Sequence, residues 1–152
     1  MHVAAGDASG LADVEGSPAL ATIERVREWC TTAGTNVRVT PVVDLNDDLH
    51  RDGYQPSPLQ REQAALLDRT CVHPFCTRRA RACDLDHIEP SLAGGPTASA
   101  NLAPLCRRHH RLKTFGGWSY ERVGRGRYRW TSPGGRRYLR DRQGTTEVGP
   151  GP

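Results

Sequence analysis

Leu85-Asp86-His87-Ile88-Glu89-Pro90, then Asn101-Leu102, then Leu105-Cys106-Arg107-Arg108-His109-His110-Arg111-Leu112-Lys113: this stretch decides the fold. A carboxylate and an imidazole stand side by side at the end of an apolar run. Residues 81–88 read as a short strand that delivers Asp86 and His87. Gly94-Gly95-Pro96 punctuates a loop, and Asn101-Leu102 begins a return strand. A short helix follows from about residue 105 to 115, ended by Gly116-Gly117. Side chains of adjacent strand residues point to opposite faces, so Asp86 and His87 need a twist or bulge to converge.

Metal-spaced residues bracket that stretch. Cys71-x4-Cys76 and Cys106-x2-His109 are two knuckle-like pairs. Three thiolates and one imidazole suit tetrahedral zinc, and the i, i+3 spacing on a helix lets Cys106 and His109 reach one ion. His73 lies inside the first pair and is the weaker candidate. Cys83 and Cys30 read as small core hydrophobes. Such a site contributes on the order of 10 kcal/mol of apparent binding free energy to folding.

Outward from this core the signals thin. Residues 1–16 are small and acidic and read as lacking structure. Ser17-Pro18 starts a helix over 18–30, with Leu20, Ile23, Val26 and Trp29 at helical spacing. Val37, Val39, Val42 and Val43 suggest a strand confined by Pro41 to an edge or bulge. Ser57-Pro58-x-Gln60 opens a second helix running to about Asp68. After residue 116 three alternating segments, 118–123, 127–131 and 136–140, read as a β-meander. Its aromatic residues, Trp118, Tyr120, Tyr128, Trp130 and Tyr138, read as a small hydrophobic face packed on the helix, with base stacking as the alternative. The expected parts are thus 1–16 without structure, 17–56 helix and strand, 57–115 the metal-bearing module, 116–140 the meander and 141–152 a tail without structure.

Bulk numbers narrow the function. Of 21 basic residues only Lys113 is a lysine, and the core is modest, with 16 glycines and 11 prolines. Residues 1–68 carry 5 basic and 11 acidic side chains, whereas residues 69–152 carry 16 basic and 6 acidic. A basic half that contains the reactive-looking residues points to a polyanionic partner. The odd count of 5 cysteines in metal-like pairs, with no secretory leader and no membrane-length apolar run, places the expected compartment in the cytoplasm.

Leu85-Asp86-His87-Ile88-x-Pro90, Gly94-Gly95, Asn101-Leu102 and Leu105-Cys106-x2-His109-His110-x2-Lys113 together resemble the HNH endonuclease motif, the ββα-metal fold. The bracketing cysteine pairs resemble its zinc-containing branch. Val37 to Leu45, the helix before Cys71 and Gly116-Gly117-Trp118-Ser119-Tyr120 are similar to a large family of bacterial HNH proteins. In that family the module follows a long N-terminal helical domain of unknown function. Only the last helix and strand of that domain have counterparts here, so 17–56 reads as its remnant.

The resemblance implies an α+β chain: a small ββα-metal core stabilised by a structural zinc at Cys71, Cys76, Cys106 and His109, an N-terminal helix and strand extension and a C-terminal meander. It implies His87 as the general base that activates water, with an imidazole pKa of about 6.5 suited to neutral pH. A backbone carbonyl is expected to fix its tautomer. Asp86 and His110 hold a catalytic divalent ion, Mg2+, Mn2+ or Ni2+. Asn101 either tethers the loop that orients His87 or touches the metal. Products carry a 5′-phosphate and a 3′-hydroxyl. Arg78, Arg79, Arg81, Arg107, Arg108, Arg111 and Lys113 are the expected phosphate contacts on double-stranded DNA. Membranes are not expected partners. One site cuts one strand, so a double-strand break needs two copies or two events. The competing expectations are a zinc-stabilised nucleic-acid-binding module without cleavage and a zinc domain that binds protein.

Overall fold

The computed structural model describes residues 11–13, 20–36 and 44–150. It divides the chain into two units, Met1–Pro41 and Val42–Pro152.

In the first unit β1 (Leu11–Asp13) pairs antiparallel with β2 (Leu20–Thr22). β1 thus lies inside the stretch expected to lack structure. Helix α1 (Ile23–Thr31) begins later than the periodicity implied, because Leu20 is spent in β2. Thr22 is its N-cap, accepting the Arg25 N–H at 3.2 Å. Ser17 and Pro18 lie outside the described residues, as do Val37, Val39, Val42 and Val43. Val26 is the buried residue of α1, and Cys30 is exposed rather than part of a core.

The second unit is organised by β3 (His50–Arg51) and helix α2 (Pro58–Asp68). The Ser57 hydroxyl accepts the Gln60 N–H at 3.1 Å, and the Gln60 carbonyl oxygen accepts the Ser57 N–H at 2.9 Å, the expected reciprocal cap. The same Gln60 amide donates to the Leu49 and Thr97 carbonyls at 2.8 and 2.9 Å. Gln63 donates to the Asp44 and Asp47 carbonyls at 2.9 and 2.7 Å. These buried amides tie residues 44–49 to α2 within the unit Val42–Pro152.

β4 (Asp84–His87) pairs with β6 (Leu102–Leu105), while β3 pairs with β5 (Thr97–Ala98). β4 is shorter than the expected 81–88, because residues 80–82 close a single 3-10 turn through the Cys83 N–H on the Ala80 carbonyl at 2.9 Å. All of β6 is buried, and β4 becomes buried at Asp86 and His87. Helix α3 (Arg107–Phe115) leaves β6 directly at Cys106.

β7 (Ser119–Gly124), β8 (Arg127–Thr131), β9 (Arg136–Asp141) and β10 (Gly144–Pro150) form a sheet of 4 strands in the order β10-β9-β8-β7. β10 replaces the expected unstructured tail. The Asp141 carboxylate accepts the Gln143 and Gly144 N–H groups at 2.9 and 3.2 Å, turning the chain back so that a polar segment pairs through its backbone. The inner face of this sheet, Tyr120, Tyr128 and Trp130, packs on Cys71, Val72, Ala103, Leu105 and Cys106. Tyr120 and Trp130 stack at 4.2 Å. Beneath α2, the Tyr128 hydroxyl meets the Asp68 carboxylate at 3.0 Å, and Arg140 donates to the Asp68 carbonyl and Thr70 hydroxyl at 3.1 and 2.7 Å. Burial pushes the Asp68 carboxyl up to about 6, against the pull of Arg122 and Arg140. Among the described residues no helix is long and apolar enough to cross a membrane.

Candidate active site and metal centre

Asp86 and His87 arrive together because β4 ends against the buried Leu102-Ala103 pair of β6. The two then diverge, as alternation along a strand requires. The Asp86 carboxylate is 5% exposed. Its Oδ2 accepts from the Lys113 ammonium at 2.7 Å and from the Tyr120 hydroxyl at 2.8 Å. Its Oδ1 lies 3.0 Å from His110 Nε2. Lys113 also donates to the His87 carbonyl and lies over the Tyr120 ring. Burial and the adjacent Asp86 charge hold the Tyr120 phenol well above its ordinary value, so it stays a donor.

His87 turns the other way. Its Nε2 lies 2.9 Å from the Thr97 hydroxyl, and its ring stacks on Tyr54 at 5.1 Å. Burial, the largest effect, holds the imidazole below its ordinary value, with Asp86 opposing and Lys113 reinforcing the shift. Asn101 tethers the loop beyond His87. Its Oδ1 accepts the Glu89 N–H at 2.8 Å, and its Nδ2 donates to the Glu89 and Pro96 carbonyls at 3.1 and 2.9 Å. Gly95 closes that loop: a Cβ there would stand 2.0 Å from the Glu89 carbonyl oxygen.

Behind the hairpin, Cys71, Cys76, Cys106 and His109 bring one ligand atom each to within 4.8 Å of one another. His109 Nδ1 is 3.5 Å from Cys71 Sγ and 3.3 Å from Cys106 Sγ. Sulfur and nitrogen ligands of one tetrahedral zinc stand about 3.6 Å apart, so the cluster fits that ion. The Cys106 N–H donates to Cys71 Sγ at 3.4 Å, stabilising negative charge there. His73 is no member of the quartet: its ring stacks on His109 at 3.8 Å, and its Nδ1 faces the Pro74 carbonyl at 3.0 Å. Burial lowers the His73 imidazole to about 4. Cys83 packs against the core beside the cluster.

The basic residues divide. Arg78, Arg79, Arg107, Arg108 and Arg111 are exposed. Arg107 lies 3.5 Å from Asp84 in solvent. Arg81 is engaged bidentately by Glu62 at 2.5 and 2.7 Å. Lys113, expected among the phosphate contacts, has a side chain only 15% exposed and faces Asp86. The sequence reading missed Thr97, Tyr120 and Tyr54. Tyr120 was legible as an inward residue of its strand, but nothing local marks its hydroxyl as a partner of Asp86. Thr97 carries no signal beyond its place between Gly94-Gly95-Pro96 and Asn101.

A family model described as HNH endonuclease matches residues 70–116, which hold both the hairpin and the metal quartet. Two curated proteins of Mycobacterium tuberculosis (strain ATCC 25618 / H37Rv) are similar. The uncharacterized protein Rv3776 is 41% identical over 96 residues, 62% of this chain and 18% of that protein. The uncharacterized protein Rv2100 is 42% identical over 86 residues, 56% of this chain and 16% of that protein. The similar region spans less than a fifth of either relative. No solved structure matches the chain significantly. Asp86, His87, His110 and the cysteine–histidine quartet all lie within residues 70–116, the stretch that the HNH endonuclease family model matches.

Proposed function

We infer that the chain is a metal-dependent endonuclease that hydrolyses phosphodiester bonds in double-stranded DNA, with β4, β6 and α3 as its ββα-metal core. One observation carries this reading: Asp86 Oδ1 and His110 Nε2 meet at 3.0 Å, and Asp86 is the residue next to His87 in β4. Two cis ligands of an octahedral ion at about 2.1 Å stand about 3.0 Å apart, so this pair fits Mg2+, Mn2+ or Ni2+. Asp86 and His110 would hold such an ion, which would supply charge stabilisation at the phosphate and the departing 3′ oxygen.

The chain's own groups do the rest. His87 takes a proton from a water whose oxygen attacks phosphorus, and the bond to the 3′ oxygen breaks. That oxygen gains a proton from solvent, giving a 3′-hydroxyl and a 5′-phosphate. Burial keeps His87 neutral near pH 7 and so able to accept the proton. Asn101 holds the following loop, and the zinc quartet ties the 71–76 knuckle to the start of α3. Arg78, Arg79, Arg107, Arg108 and Arg111 supply phosphate contacts, whereas Arg81 serves Glu62 and Lys113 serves Asp86.

A plasmid-nicking assay with zinc-loaded protein and Mg2+, Mn2+ or Ni2+ tests this. His87→Ala is expected to slow nicking by about 100- to 10,000-fold while leaving duplex binding intact. Wild type that cuts no better than His87→Ala under every metal sinks the enzymatic reading. A salt-sensitive gel shift without cutting then marks the binding module instead.

A further inference from the structure

The geometry points to Thr97 as the positioning residue that fixes His87 with Nδ1 as its basic nitrogen, through a relay that ends at the Gly53 carbonyl. This rests on the reading of His87 as the base. The Thr97 oxygen stands 2.9 Å from His87 Nε2 and 2.7 Å from the Gly53 carbonyl oxygen. A hydroxyl has one proton, and a carbonyl only accepts. The Thr97 proton therefore belongs to the Gly53 carbonyl, and Nε2 must carry the hydrogen that it shares with Thr97. Reversing the order would set two oxygen lone pairs against each other at 2.7 Å inside a buried site. A neutral imidazole protonated at Nε2 has its lone pair on Nδ1. A side-chain hydroxyl thus does the work expected of a backbone carbonyl, and the carbonyl sits one step further back.

The relay is held from both ends. Arg51 pairs with Thr97 across β3 and β5, and the Gln60 amide bridges the Leu49 and Thr97 carbonyls. Tyr54, next to Gly53, lies over the His87 ring. Gly53 has φ of +87°, which aims the chain there without the strain of a side chain. Residues 49–54 lie outside the matched 70–116 yet complete the surroundings of His87.

The test combines Thr97→Val and Thr97→Ser with 15N-histidine NMR of the zinc-loaded protein. Wild type should show His87 as the Nε2–H tautomer with a slowly exchanging Nε2 proton. Thr97→Val should lose that proton signal and lower kcat by about 10- to 100-fold with KM little changed. Thr97→Ser should restore both. An Nδ1–H tautomer in wild type overturns the relay whether or not the variants fold, as does Thr97→Val that keeps the signal and the rate. If wild type does not cut DNA while the signal still depends on Thr97, the enzymatic reading falls and the relay stands.

Discussion

At the scale of single residues, the Asp86 carboxylate divides its two oxygens between different duties. Oδ2 is saturated by Lys113 and Tyr120, and Oδ1 is the oxygen that meets His110. The two donors fix the carboxylate's rotation, so Oδ1 is aimed without help from an ion. Tyr120→Phe removes one donor and changes no packing volume of note. It is expected to cost about 1–3 kcal/mol of stability by leaving a buried oxygen short of a partner. It should also weaken catalytic-metal binding by about 10- to 100-fold, read as a rightward shift in the Mg2+ dependence of nicking. An unchanged Mg2+ dependence would show that Tyr120 acts only as a core aromatic.

At the scale of elements, the loop between β4 and β6 is the most constrained connection. Its return depends on Gly95, where a Cβ meets the Glu89 carbonyl oxygen at 2.0 Å and Asn101 Nδ2 at 3.0 Å. Gly95→Ala must push apart the clamp that Asn101 makes on Glu89. The expected loss is about 1–3 kcal/mol in thermal or urea denaturation, with slower nicking as His87 loses its anchor. A variant as stable and as active as wild type would show that the clamp is slack. Elements whose signals are local were readable in advance. α2 announced itself through Ser57-Pro58-x-Gln60, and the quartet through its spacing. Elements made by distant pairing were not. β10 is a polar, glycine- and threonine-bearing segment whose pairing is backbone on backbone, so composition gave no warning of it. The β3–β5 bridge joins residues more than 40 positions apart, and Thr97 acquires its meaning only there. Lys113 looked like one more surface cation in a basic helix until β4 was placed beside it.

At the scale of the molecule, the cysteine–histidine quartet joins chain segments separated by some 30 residues, and Cys71 and Cys106 belong to the hydrophobic core itself. If zinc fills the quartet, as proposed, its removal would leave thiols without their ion at the edge of the core. Chelation is therefore expected to abolish the cooperative thermal transition of the second unit, recovered on adding Zn2+. A transition unchanged by a strong chelator would remove zinc from the account of this fold. The positions of the aromatics give that experiment its readout. His73 stacks on His109 of the quartet at 3.8 Å, and the Trp118 and Trp130 rings stand 4.8 and 4.9 Å from His73. Trp130 is fully buried and donates to the Val72 carbonyl at 2.7 Å, whereas Trp29 of the other unit is exposed. Two of the three indoles thus pack on the ring that stacks on His109 of the quartet. With zinc in the quartet, the protein would carry its own optical gauge of metal occupancy: its ultraviolet emission should shift to the red as zinc leaves and return as zinc is restored, with no dye attached.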